Sequence, residues 1–423
     1  MARKIGLYGI IGYFLYGLFF YWYLFHFTNT SLPFEYQGTV ADPATFLNGR
    51  ELMLSEEYSK IRNLLFFLST PFEWLFYLFI MLLGLSTLFK GWSEQSSKYK
   101  FVQTSIYVAW LSLFAFIATT PLSYISYKLS KQYNISTQSF GGWMKDELID
   151  FWVNFGMMVL IVCVLYWLIN KSAKRWWLYA WLLTIPFSLF LMFVQPVVID
   201  PLYNDFYPLK NKVLETKILD LADKANIPAE HVFEVDMAEK TNALNAYVTG
   251  IGSNSRIVLW DTTLNKLDDD EILFIMAHEM AHYVEKHIYI GIAGYLLMSL
   301  IGLYLTYKIM EWVISRYGSA LKISSVKDIR SLPLFLMIIS MLLFLSSPIS
   351  NAVSRYQETR ADSYAVEMTK DAEAGISTFQ ELTRAGLSQV NPPFLVKVFR
   401  YGHPTMLERI TLLEDYQIEH RDD

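Results

Sequence analysis

A chain of 423 residues that is 53% hydrophobic and 17% aromatic carries too much apolar surface for an ordinary soluble protein of its length, and is read as a membrane protein. Its formal net charge of -5 comes without any dense run of Lys and Arg, which argues against a nucleic-acid partner. Cys163 is the single cysteine and lies inside an apolar run, so intramolecular disulfides are excluded and thiolate metal ligation has no support.

Crossing a bilayer takes roughly 20 apolar residues, and such stretches fall near 5–27, 70–89, 101–121, 151–170, 176–198, 288–310 and 333–350. Seven spans are therefore expected. Arg3 and Lys4 precede the first, as in a signal peptide, but its run is long and aromatic with no small-residue cleavage site after it. The loop 28–69 is mixed, with helical character from Ser55 to Leu68, and Ser123 to Asp150 reads as an amphipathic connection.

The main polar insertion runs from about Asp200 to Lys286. Val213 to Ala225 has helical periodicity, Ile227-Pro228 ends it, and Val232 to Val235 reads as a strand. Asn245 to Gly252 and Arg256 to Trp260 follow as two strands joined by a turn at Ser253-Asn254-Ser255. Asn245 to Thr249 is a candidate edge strand for holding an extended peptide through main-chain hydrogen bonds; an ordinary structural hairpin is the alternative.

Leu267 to Glu271 then supplies an N-cap and a cluster of acids ahead of the apolar run Ile272 to Met276, and the helix so begun carries His278-Glu279-Met280-Ala281-His282. Residues four apart on a helix lie about 40° apart around its axis, so His278 and His282 can offer imidazole nitrogens to one metal ion. Glu279 beside them can take a proton from a water activated by the metal and hand it to a leaving amine, which is the chemistry of a zinc peptidase. A chance match on an amphipathic helix competes with this as long as the pentapeptide stands alone. His287 lies nine residues beyond His278, roughly opposite the ligand face of a continuous helix, and no glycine intervenes to swing it round, so it is not expected to be a ligand.

A third ligand is sought downstream. Ser354 to Asp362 reads as a second helix with Glu358 and Asp362 on one face, an arrangement in which the first carboxylate binds metal and the second hydrogen-bonds a ligand histidine. A solvated face with Arg355 and Arg360 as ion-pair partners is the alternative. In the tail, Gly402-His403-Pro404 is a turn that opens a helix, and His403 is a candidate donor to the oxyanion formed when water attacks a carbonyl.

Together, His278-Glu279-x-x-His282, Ser354-Arg355-x-x-Glu358-x-x-Ala361-Asp362, Asn245-Ala246-Tyr247, His403-Pro404 with Arg409, and Ile199 to Leu209 resemble the integral-membrane zinc metallopeptidases of the CAAX prenyl protease 1 (Ste24) type. The resemblance implies a mainly α, polytopic fold whose seven transmembrane helices enclose a chamber, capped by a zincin-like α+β catalytic domain. It implies one zinc ion per chain held by His278, His282 and Glu358, with Glu279 as general base and acid and Asp362 supporting a ligand. Asn245 and His403 would hold substrate or stabilise the oxyanion, and Arg409 would be a structural or substrate-contact residue. In the loop Lys128 to Gln138 the Gly-Phe-Asn pattern of eukaryotic members is replaced by Gln132-Tyr133-Asn134-Ile135, so the resemblance does not by itself imply prenylated substrates.

The expected organisation is 1–199 with five transmembrane helices, 200–287 as the inserted catalytic domain, 288–350 with two more spans, and 351–423 returning to the catalytic domain. Basic residues gather in alternate loops, at Arg3 and Lys4, Lys90 to Lys100, Lys171 to Arg175, and Lys308 to Arg330. By the positive-inside rule these are cytoplasmic, which places the amino terminus inside and the catalytic domain outside, in the cell membrane. The expected function is a membrane-embedded zinc metalloendopeptidase acting on small or membrane-associated polypeptides, lipidated or not. The alternatives are a broad-specificity quality-control protease and a non-catalytic chamber protein that handles peptides or lipids.

Overall fold

The computed structural model describes residues 1–228, 231–249 and 256–420. Its elements run α1 (Ala2–Trp22), α2 (Pro43–Phe46), α3 (Gly49–Leu82), α4 (Leu85–Ser96), α5 (Lys100–Gln132), α6 (Phe140–Lys171) and α7 (Trp176–Val194), then β1 (Phe206–Pro208), α8 (Lys212–Lys224), β2 (Val232–Val235), β3 (Ala246–Thr249) and β4 (Arg256–Trp260). The remainder is helical: α9 (Asp261–Lys266), α10 (Asp269–Val284), α11 (His287–Leu321), α12 (Leu332–Thr369), α13 (Ala372–Gly386), α14 (Phe394–Arg400) and α15 (Met406–Glu419).

Among the described residues seven helical segments are long and apolar enough to cross a membrane, as the hydrophobic runs predict. Their bounds differ from the runs in an instructive way. The second span does not continue to residue 89: it begins at Gly49, behind a capping box of Asn48 and Glu51, and ends at Leu82. Gly84 follows with φ +81, a left-handed conformation that breaks the chain direction and starts the separate helix α4. Most of the stretch expected as a connection, Ser123 to Asp150, is helical, with only Tyr133 to Ser139 between the ends of α5 and α6. The helix bearing Glu358 is not separate from the seventh span either. Both belong to α12, 38 residues long with Pro348 inside, so the expected division at 350 falls within one continuous helix.

Neighbour packing closes a ring: α3 meets α5, α5 meets α6, α6 meets α7, α7 meets α11, α11 meets α12, and α12 returns to α3, while α1 lies along α3. Six helices at the usual ~9 Å spacing leave their common centre about 9 Å from each axis, a space at least one helix wide. The apolar windows of the spans are only 0% to 28% buried, as expected where each helix has an open inner face besides its outer one. One end of the ring is plugged by apolar clusters that join Met81, Leu165, Trp176, Met310 and Leu334, and Phe89, Tyr107, Val108 and Leu332. At that end Lys90 binds Asp328, Lys322 binds the carbonyl of Leu83, and Lys327 that of Asn170, so the basic loops sit together.

The other end carries a compact domain with its own core, in which Leu214, Ile218, Val232, Ile257, Phe274, Met276, Ala365, Phe379 and Ile410 pack together. Its four-stranded sheet has the order β1-β2-β4-β3, with β2 and β4 parallel and the outer pairs antiparallel. β1 has no signal in the sequence, because three residues are too few to show alternation. β3 does form an edge, paired with β4 on one side alone. The expected turn at Ser253-Asn254-Ser255 lies outside the described residues.

Candidate active site

α10 begins as its sequence suggests. Asp268 accepts hydrogen bonds from the backbone of Asp270 and Glu271, and the Glu271 side chain returns to the Asp268 backbone, a capping box that holds the helix entry. Glu271 is tied again to Ser377 on α13, and Phe274, Met276, Ala277 and Met280 are buried in the domain core. The helix is thereby held on three sides, with His278 and His282 on the remaining face.

That face meets α12. His278, His282 and Glu358 each offer one ligand atom, and these atoms lie within 4.8 Å of one another. The Nε2 atoms of the two histidines are 3.4 Å apart, and Glu358 Oε2 lies 3.1 Å from Nε2 of His278. His278 Nδ1 is 2.8 Å from Asp362 Oδ1. A carboxylate can only accept, so His278 carries its proton on Nδ1 and turns the Nε2 lone pair toward His282 and Glu358. With both imidazoles neutral, three electron-donating atoms face one another across a few ångströms, so the group calls for a positive charge between its members, a proton or a metal ion. Two imidazoles with one carboxylate fit zinc.

The acid-base balance of the cluster says the same. Burial works against a charged His278, yet the neighbouring Asp362 and Glu358 outweigh it and hold its pKa up at about 9. Burial, together with that charge, pushes His282 down to about 4. A proton on His278, with His282 left neutral, fills in the metal-free protein the place a cation would take.

Other expected residues converge here as well. Glu279 and His278 line a cavity of about 370 Å³ together with Asn245, Ala246, His403 and Arg409. Burial raises the Glu279 carboxyl above its ordinary value, and the backbone N–H of Val248 on β3 donates to it. The Asn245 carbonyl accepts from the Trp260 N–H. By the alternation of an antiparallel ladder, Asn245 and Tyr247 then bond to β4, while Ala246 and Val248 turn their main-chain groups toward the cleft. His403 stands in the cleft mouth, its side chain 64% exposed and its Nε2 3.4 Å from Glu358 Oε2.

Of the two roles expected for Arg409, the structural one is what its contacts describe: it lines the cavity but is buried, donates from Nε and Nη2 to the two oxygens of Asp362 at 2.8 and 2.6 Å, and stacks 4.0 Å over the Phe379 ring. Both of those donors are directed at a carboxylate that itself orients His278. The structure differs from the sequence reading at His287. α10 ends at Val284, and Lys286 adopts φ +59 although it is not glycine, so α11 starts in a new direction. His287 consequently swings back and places Nδ1 2.9 Å from Nδ1 of His282. It remains outside the three-ligand group, but the continuous-helix geometry that placed it opposite does not hold. Nor do Arg355 and Arg360 neutralise Glu358 and Asp362: Arg355 donates to the carbonyls of Lys397 and Tyr401, and Arg360 to Glu285.

Comparison with known proteins agrees with this geometry. Residues 208–417 match the family described as peptidase family M48, and residues 28–205 match the CAAX prenyl protease N-terminal domain of five membrane helices. The uncharacterized metalloprotease YhfN of Bacillus subtilis is 55% identical over 97% of each chain. The CAAX prenyl protease 1 of Saccharomyces cerevisiae is 27% identical, over 74% of this chain and 72% of its own. The crystal structure of S. mikatae Ste24p shares the fold, with a TM-score of 0.78 over 97% of this chain and 98% of that one at 22% identity.

Proposed function

The chain belongs to peptidase family M48 as a multi-pass membrane metalloprotease of the CAAX prenyl protease type, and from that premise we propose how its residues divide the work. His278, His282 and Glu358 would hold the zinc ion that these enzymes use, and the convergence of their ligand atoms is the observation that supports this. When bound, zinc supplies Lewis acidity that polarises a carbonyl and makes water nucleophilic near neutral pH. Glu279 takes the proton of the attacking water and delivers it to the leaving amine; burial raises its carboxyl toward the pH at which a base is effective. His403, exposed in the cleft, donates to the oxygen on which negative charge develops. Asp362, braced by Arg409, holds His278 in the tautomer that leaves Nε2 free.

The substrate lies extended along β3, bonded to the main chain of Ala246 and to the carbonyl of Val248, whose N–H is given to Glu279, with Asn245 fixing one end. Main-chain pairing reads no sequence, which suits an enzyme acting on varied polypeptide segments that reach it from the bilayer or the ring interior. Loop charge supports a cell-membrane protein with its amino terminus in the cytoplasm and the metal domain outside, since the basic loops gather at the end of the ring opposite the metal. A carboxy-terminal tag that is protected in intact cells would contradict that orientation.

Replacing Glu279 by Gln tests the mechanism. Zinc should be retained in full while peptide hydrolysis falls by about 10² to 10⁴-fold, the span attributed to acid-base catalysis. Hydrolysis at the parental rate would sink it. Comparing membrane and secreted peptides from cells carrying either form identifies the substrates: one cleavage site marks a maturation enzyme, many mark quality control.

A further inference from the structure

We propose that His287 and Glu285 are positioning residues for His282, fixing from behind the position of its proton so that Nε2 stays open toward the metal. The inference rests on the zinc assignment above and extends it to residues outside the ligand set.

His282 Nε2 faces Nε2 of His278 at 3.4 Å and Oε1 of Glu358 at 3.6 Å, so Nε2 is the atom presented to the metal and must be unprotonated. The proton of a neutral His282 is then on Nδ1. Nδ1 faces Nδ1 of His287 at 2.9 Å, and that contact is a hydrogen bond only if His287 Nδ1 accepts. His287 therefore carries its own proton on Nε2, which lies 3.3 Å from Oε2 of Glu285. Glu285 is kept ionised, and so an acceptor, by Arg360, which donates from Nη2 to Oε1 at 2.7 Å and from Nε to Oε2 at 3.2 Å. Every donor in the series meets an acceptor in one arrangement alone. Reversing the His287 proton would protonate His282 at Nε2 and close the ligand position.

The two histidine ligands thus have different supports. A carboxylate braced by Arg409 holds His278 directly, whereas His282 is held through a second imidazole that stands between it and Glu285. The relay exists because Lys286 turns left-handed, which folds buried His287 under His282. It ends on Arg360 of α12, two residues from Glu358, so the helix that supplies the third ligand also anchors the second.

Full-length protein in detergent tests this through its zinc dissociation constant, measured against a fluorescent chelator, and the visible spectrum of the cobalt-substituted form. His287→Phe fills the space but cannot accept; zinc binding should weaken at least about tenfold, in the range seen when such supports are lost, and the cobalt bands should shift. His287→Gln offers a carbonyl acceptor and should recover most of that loss. Arg360→Gln alters an exposed side chain, leaves the core untouched, and should weaken zinc by a few-fold. His282→Ala is the reference for loss of a ligand. Parental affinity and spectrum in both His287→Phe and Arg360→Gln, with binding lost in His282→Ala, would overturn the relay and leave the metal site standing. Parental affinity in His282→Ala as well would overturn the metal assignment itself. Should His287→Phe not fold, His287→Gln and Arg360→Gln decide: affinity highest in the parent and lower in His287→Gln, with a measurable deficit in Arg360→Gln, supports the relay, and no deficit in Arg360→Gln refutes it.

Discussion

Replacing Arg409 by Met separates the fold-supporting contacts beneath the metal site from the chemistry above it. Met keeps an apolar body over the Phe379 ring while deleting the guanidinium and its two bonds to Asp362. Asp362 is 1% exposed, so the loss leaves a buried carboxylate with the His278 imidazole as its one remaining side-chain partner. Breaking a buried pair from one side costs about 3–5 kcal/mol. For a domain of this size each kcal/mol is worth about 2–4 °C, so the metal domain should melt on the order of 10 °C lower. Thermal unfolding in detergent, followed by tryptophan fluorescence, measures this directly. Removing both charges in Asp362→Asn with Arg409→Met takes away the orphaned carboxylate and should restore part of the lost stability. Zinc affinity should fall in both proteins by roughly 10–100-fold, since His278 loses its orienting partner. A single variant melting within about 2 °C of the parent, or a double variant no more stable than the single one, would refute the reasoning.

Three further outcomes are expected. His403→Ala should reduce turnover by about 10²–10³-fold, the usual cost of one oxyanion donor, with zinc content unchanged by metal analysis. Below about pH 9 the metal-free His278 is protonated, because the adjacent carboxylates raise it, so zinc uptake at pH 7 should release close to one proton. Calorimetry in buffers of different ionisation enthalpy reads that proton, and its release should disappear as pH rises through 9. Gly375→Ala would put a Cβ 2.6 Å from Phe274 and 2.7 Å from Leu413, where α13 crosses α10 and α15, so overpacking should destabilise the domain by about 1–3 kcal/mol in the same melting assay.

What the sequence discloses, it discloses through local periodicity. Seven apolar runs are visible because each is long, and His278, Glu279, His282, Glu358 and Asp362 are visible because helix spacing of four residues puts partners on one face. Where backbone direction changes without a marker residue, the reading stops. Lys286 adopts a left-handed conformation that glycine or asparagine would have advertised, and periodicity therefore assigns His287 to the far side of a helix that ends before it reaches that residue. Arg409 illustrates a different limit. Its position near the site follows from the tail motif, but whether it points into the cleft or beneath it is settled by Asp362 and Phe379, 47 and 30 positions away. The continuity of α12 is hidden for a third reason: its change from apolar to polar composition marks the passage out of hydrocarbon, not the end of the helix.

That continuity turns the bilayer into a mechanical input. Glu358 stands 26 residues beyond Leu332, where α12 is anchored in the apolar plug, which is roughly 39 Å along a helical rod. Tilting such a lever by about 2° carries its far end more than 1 Å, and displacements near 1 Å can alter rates by about 10²-fold. Lipids of different thickness change the tilt of the helices that cross them. Acyl-chain length in reconstituted vesicles should therefore change the rate of peptide hydrolysis, and an unchanged rate across chain lengths would show that α10 and α12 move as one.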